Sequence, residues 1–109
     1  MYPELGCLEE APVAKGYWVV FYRSVSNSAA LAEYAKLSAP AIQLAGGRFV
    51  ARGTPAKTFE AGMNQRSVVI EFDSVEKAIA AYQSPAYQAA LKVLQGTAER
   101  DIRILEGAS

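Results

Sequence analysis

Apolar positions return along this chain in two different rhythms, and the switches between them predict its elements. Tyr17-Trp18-Val19-Val20-Phe21-Tyr22-Arg23, just after Gly16, is aromatic and β-branched throughout. That composition suits a strand buried on both faces. Leu31, Tyr34, Ala35, Ser38, Ile42 and Ala45 then recur at three- and four-residue steps, which predicts a helix with one buried stripe. Ser26 or Asn27 can cap it, because a short side-chain oxygen satisfies the free amides of the first turn. Pro40 lies inside the pattern and deletes one backbone hydrogen bond, so a kink or a split is expected there. Gly46-Gly47 ends the helix. Arg48 to Arg52 alternates as a short strand stopped by Gly53 and Pro55, and residues 57–64 read as a loop or frayed hairpin arm. Ser67 to Phe72 is the clearest strand after the first. Asp73 is the expected cap of a second helix, with Glu76 completing a capping box and Val75, Ala78, Ile79 and Tyr82 forming its buried stripe. Ser84-Pro85 restarts the helix in cap-then-proline order. Tyr87, Ala90, Leu91 and Leu94 then point inward, and Gly96 closes it. Ile102 to Leu105 is the last strand.

The order strand, helix, strand, strand, helix, strand is the split-βαβ, ferredoxin-like pattern of an α+β domain: an antiparallel sheet with both helices on one face. Strand residues alternate faces with a period of two. Trp18, Val20, Tyr22, Phe49, Ala51, Val68, Ile70, Phe72, Ile102 and Ile104 make an almost wholly apolar face that should receive the helices. The other face carries Tyr17, Val19, Phe21, Arg23, Arg48, Val50, Arg52, Ser67, Val69, Glu71, Arg103 and Leu105. It is too apolar for water yet too charged for a sealed core. A second copy of the same sheet packed against it meets both requirements, and a two-fold homodimer is the commonest such arrangement. A one-residue slip within a strand would exchange the faces.

Composition narrows the function. With 109 residues, half of them hydrophobic (51%), the chain can build one core. Residues 1–15, with two prolines, three glutamates and no periodicity, read as a loosely held arm before a single domain over 16–109. Eleven basic residues balance eleven acidic ones, so no net field favours nucleic acid or an anionic membrane. The longest apolar run, Tyr17 to Tyr22, falls far short of the ~20 residues of a membrane span, and the first fifteen residues lack a signal-peptide pattern. One cysteine, Cys7, permits no internal disulfide and points to a reducing cytoplasm. There is no histidine, which removes histidine triads, imidazole zinc sites and histidine-ligated haem together. No metal-ligand spacing or phosphate-binding loop stands out, and no cofactor is expected.

Lys15-Gly16-Tyr17-Trp18, Gly46-Gly47-Arg48-Phe49-Val50-Ala51-Arg52-Gly53, Arg66 through Val69-Ile70-Glu71-Phe72-Asp73-Ser74, and Ser84-Pro85-Ala86-Tyr87-Gln88, in that order, resemble a small bacterial family. It is the domain of unknown function thirteen-thirty, within the dimeric α/β-barrel superfamily. The resemblance spans roughly residues 15–107. It implies a ferredoxin-like protomer whose sheets pair into a barrel, with a pocket between sheet and helices or at the barrel mouth. It transfers no reaction. The wider superfamily includes cofactor-free monooxygenases, lactone isomerases and haem-handling enzymes, and its histidine-dependent members are poor guides here.

Glu71 is the most informative single position, because a carboxylate inside Val-Val-Ile-Glu-Phe is costly to bury without a cation. Arg48 and Arg52 share its expected face, with Arg23 placed alongside them. The plain reading is an ion-pair network at a dimer interface. The sharper one is a pocket acid or base for proton transfer, with arginine holding an anionic oxygen. A guanidinium grips a carboxylate with two hydrogen bonds, which makes a small organic acid a sensible ligand. Four positions apart on one strand, about 13 Å at the usual rise, Arg48 and Arg52 cannot both hold one small carboxylate. Arg66, at the start of its strand, is a further candidate. Tyr34, Tyr82, Tyr87 and Trp18 read first as core, but tyrosine hydroxyls need partners and a pocket beneath the helices would supply them. Ser38, on the buried stripe beside Pro40, can face a cavity, although nothing near it would activate a nucleophile. Three readings follow: a homodimer binding a small molecule, a cofactor-independent isomerase or monooxygenase working through Glu71, and a module whose second face serves assembly alone.

Overall fold

The computed structural model describes residues 13–108. Over these the chain runs β1 (Gly16–Val25), α1 (Ser28–Leu44), β2 (Arg48–Gly53), β3 (Ser67–Phe72), α2 (Val75–Gln83), α3 (Pro85–Leu94) and β4 (Ala98–Glu106). The four strands form one antiparallel sheet in the order β2-β3-β1-β4. This is the ferredoxin-like α+β arrangement expected above. Most of the arm before Gly16, including Cys7, lies outside the described residues.

Local chemistry sets the element ends. Asn27, rather than Ser26, caps α1, and its side chain accepts from the Ala30 amide (3.0 Å). Ser26 instead donates to the Thr97 carbonyl. Despite Pro40, α1 runs unbroken to Leu44, and Gly46 turns the chain with φ +94°, a conformation glycine adopts freely. Gly47 is needed for a different reason, since a Cβ there would sit 2.5 Å from Ile42 and 2.9 Å from the Phe72 ring. The cap of α2 is Ser74, not Asp73. The Ser74 hydroxyl accepts from Lys77 (3.1 Å), while Arg48 and Lys15 engage the Asp73 carboxylate. Ser84 both ends α2 and caps α3.

The helices cover one sheet face. There Trp18, Val20, Tyr22, Val68, Ile70 and Phe72 are buried with Tyr34, Ile42, Tyr87 and Leu94 from above. Trp18 can be buried because its indole N–H donates to the Ala78 carbonyl at 2.7 Å, and its ring meets those of Phe72 and Tyr87. α2 seats on the sheet through small Ala78 and Ala81. Ile79, expected inward, is therefore turned out and is 41% exposed.

One irregularity overturns part of the expected face assignment. Arg48 lies opposite Glu71 and Phe49 opposite Ile70, but Ala51 then lies opposite Val69 and Arg52 opposite Val68. Val50 is the extra residue of a β-bulge, and every later residue of β2 changes side. Ala51 thus belongs to the open face. Arg52, expected beside Arg48 and Glu71, lies under the helices.

Candidate functional site

Beneath α1 the sheet encloses a cavity of ≈ 40 Å³. The strand pairings order its floor. Phe49, Ile70 and Trp18 form one row, Arg52, Val68 and Val20 the next, and Tyr22 with Arg100 the last. Arg66 joins that last row, its carbonyl accepting from the Tyr22 amide (3.0 Å). α1 runs back over the sheet from the arginine end, so Leu31 and Tyr34 roof that end and Ser38 and Ile42 roof the apolar one. The cavity has a polar mouth and a greasy floor. Arg52 is exposed and Arg66 and Arg100 half-buried, so solvent reaches the mouth.

Its electrostatics are one-sided. Arg52, Arg66 and Arg100 line the cavity, and no aspartate or glutamate lines it with them. Among the described residues none of the three forms an ion pair. Arg52 lies over the Phe49 ring (4.4 Å) and Arg100 over that of Tyr34 (5.3 Å), cation–π contacts that leave guanidinium N–H groups for other acceptors.

The tyrosine hydroxyls add to this one-sidedness. Arg100 donates to Tyr34 (3.2 Å) and to Tyr87 (3.4 Å), and the two tyrosine oxygens are 2.6 Å apart. Burial, above all, pushes the Tyr87 hydroxyl above the ordinary tyrosine range, so it keeps its proton at neutral pH. Tyr87 is 0% exposed, and a buried O–H needs an acceptor, which only Tyr34 provides among the described residues. Tyr34, which lines the cavity, is then left with a hydrogen to donate there. The polar end is built of donors.

The expected site residues divide between the two sides of the sheet. Trp18, Tyr34, Ser38, Arg52 and Arg66 border the cavity. Tyr82 packs on Trp18 and Tyr87 outside it, and Arg23 pairs with Asp101 at 3.6 Å. Glu71 stands on the open face, where it accepts from the Tyr17 hydroxyl (2.7 Å) and Arg48 Nε (3.1 Å). The Tyr17 hydrogen bond first, and Arg48 next, hold it below the usual carboxylate range. That is the opposite of what a general base near neutral pH requires. Arg100 is the residue that sequence reasoning passes over, because Ala98-Glu99-Arg100-Asp101 looks too polar for a strand. Extending the alternation of Ile102 and Ile104 back one step would have placed it on the helix side.

Comparison with solved structures places the fold among known ones. A protein of unknown function from Rhodopseudomonas palustris superposes with TM-score 0.68 at 17% identity, over 88% of this chain and 84% of that one. Hydroxynitrile lyase from Passiflora edulis gives TM-score 0.65 at 14% identity, over 91% and 97%. A variant of a cofactor-independent oxygenase from Streptomyces nogalater gives 0.59 at 13%, over 89% and 96%. At these identities the likeness concerns the fold alone. No curated protein matches the sequence. The family model for the domain of unknown function DUF1330 matches residues 15–108, the whole of the sheet and its helices, and the chain belongs to that family.

Proposed function

We propose that this protein binds a small organic carboxylate in the cavity beneath α1, as one half of a homodimer joined through the open sheet face. The observation that carries the reading is the cluster of Arg52, Arg66 and Arg100 around a cavity lined by no carboxylate. An anion at the mouth would take charge-assisted hydrogen bonds from the guanidinium groups and from Tyr34, while Trp18, Phe49, Ile42 and Ile70 accept an apolar tail. The small volume favours a short tail. Glu71 has no part in this site. It belongs to the network on the open face, which a second copy of the chain would cover. The single cysteine keeps a reducing, cytoplasmic setting as the proposed one.

Chemical-shift titration with butanoate and with butanamide tests the binding reading. Butanoate should shift resonances of Tyr34, Ser38 and Trp18, and the neutral amide should not. Arg66→Ala should weaken butanoate binding about tenfold, the scale of one lost charge-assisted hydrogen bond. Equal response to acid and amide would overturn the proposal.

A further inference from the structure

Ser38 is 4% exposed, on the face of α1 that roofs the cavity. Its hydroxyl has no hydrogen-bond partner among the described residues. Serines within helices often return their hydroxyl to the carbonyl one turn back, and this one does not. Buried hydroxyls are nearly always satisfied, by protein, ordered water or a ligand, so the Ser38 hydroxyl is a hydrogen-bonding group held ready for whatever occupies the cavity. Ser38 also follows Tyr34 by four residues, about 6 Å along the helix axis, towards the apolar end. Around it lie Trp18, Ile42, Phe49 and Ile70, none of which offers an acceptor or donor facing the cavity, since the Trp18 N–H is spent on Ala78.

We infer that the bound acid carries a second oxygen part-way along its chain: it is a short hydroxy- or oxo-carboxylic acid, with that oxygen hydrogen-bonded to Ser38. This rests on the carboxylate reading above. The carboxylate occupies the arginine end with Tyr34, the second oxygen meets Ser38 a few bonds further in, and the remaining carbon contacts Ile42 and Trp18. Ser38 donates to an oxo group, or exchanges donor and acceptor roles with a hydroxyl. The two polar anchors lie along one line, so the acid's chain is held in one direction.

Titrations of the full chain with butanoate and with each enantiomer of 3-hydroxybutanoate read this directly, with 4-oxopentanoate as the oxo probe. One 3-hydroxybutanoate enantiomer or 4-oxopentanoate should bind the native protein about tenfold tighter than butanoate. Ser38→Ala, which favours the helix, should abolish that advantage, so that the oxygenated acids and butanoate bind alike. Ser38→Thr, which keeps the hydroxyl, should retain it. Equal affinities for all the probes, or a preference that survives Ser38→Ala, would overturn the inference while leaving the arginine reading intact. Failure of every acid to bind would remove both.

Discussion

Glu71 occupies an apolar strand at modest cost because two donors converge on it, Tyr17 and Arg48. Its depressed acidity has a signed consequence. A carboxyl whose folded value lies below its unfolded one contributes stability that is present above the unfolded value, about 4.3 for glutamate, and fades as pH falls through the lower folded one. Glu71→Gln should therefore melt lower than the native protein at neutral pH. Thermal melts at successively lower pH should show the difference shrinking below about pH 4.3. A difference that grows with acid would contradict the arrangement. That a carboxylate here must be partnered is readable from Val-Val-Ile-Glu-Phe. Arg48 as one partner is readable too, from its place on the same face, but the Tyr17 hydroxyl is not, because Tyr17 lies 54 positions away in the chain.

The junction from α1 into β2 shows how little of an element's fit is local. Gly46 and Gly47 look alike in sequence, yet Gly46 is there for its positive φ and Gly47 for the closeness of Ile42 and Phe72. Gly47→Ala should cost about 1–3 kcal/mol through overpacking, read as a lower urea midpoint at unchanged slope. The bulge beyond it offers a second check. With Val50 deleted, simple alternation still carries Arg52 to the helix side, so the shortened chain should keep its response to butanoate. In a strand without a bulge Arg52 would start on the open face beside Arg48, and the same deletion would carry it to the helix side and strengthen the response. Nothing in Arg-Phe-Val-Ala-Arg marks Val50 as the inserted residue. The bulge exists only in relation to β3, and with it goes the side on which Arg52 falls.

On the open face, Phe21, Val50 and Leu105 remain 42%, 58% and 52% exposed, with half-buried Val19 and Val69 side by side between them. Charged groups at either end, Arg48 with Glu71 and Asp73, and Arg23 and Arg103 with Asp101, frame this apolar centre. A surface of that kind matches the layout of an interface, apolar within and polar at the rim. Light scattering after size exclusion should give twice the 11.7 kDa chain mass. Val69→Asp should return it to a single chain, with helical circular dichroism retained because the residue faces away from the helices. A native protein that elutes as a monomer would defeat the homodimer.

The succession of elements could be read directly, since hydrophobic period, caps and glycines act within a few neighbours along the chain. The ferredoxin-like pattern follows from that succession and from the family resemblance. Tyr34, Ser38 and Trp18 could be named in the same way, being on stripes that must face inward. What awaited the folded molecule was which arginines meet them. Arg52 reaches the cavity through a bulge, Arg66 through a backbone hydrogen bond to β1, and Arg100 through the pairing of β4 with β1. Each of these depends on registration between strands far apart in sequence, and a one-residue shift in such a pairing reverses the side every side chain faces.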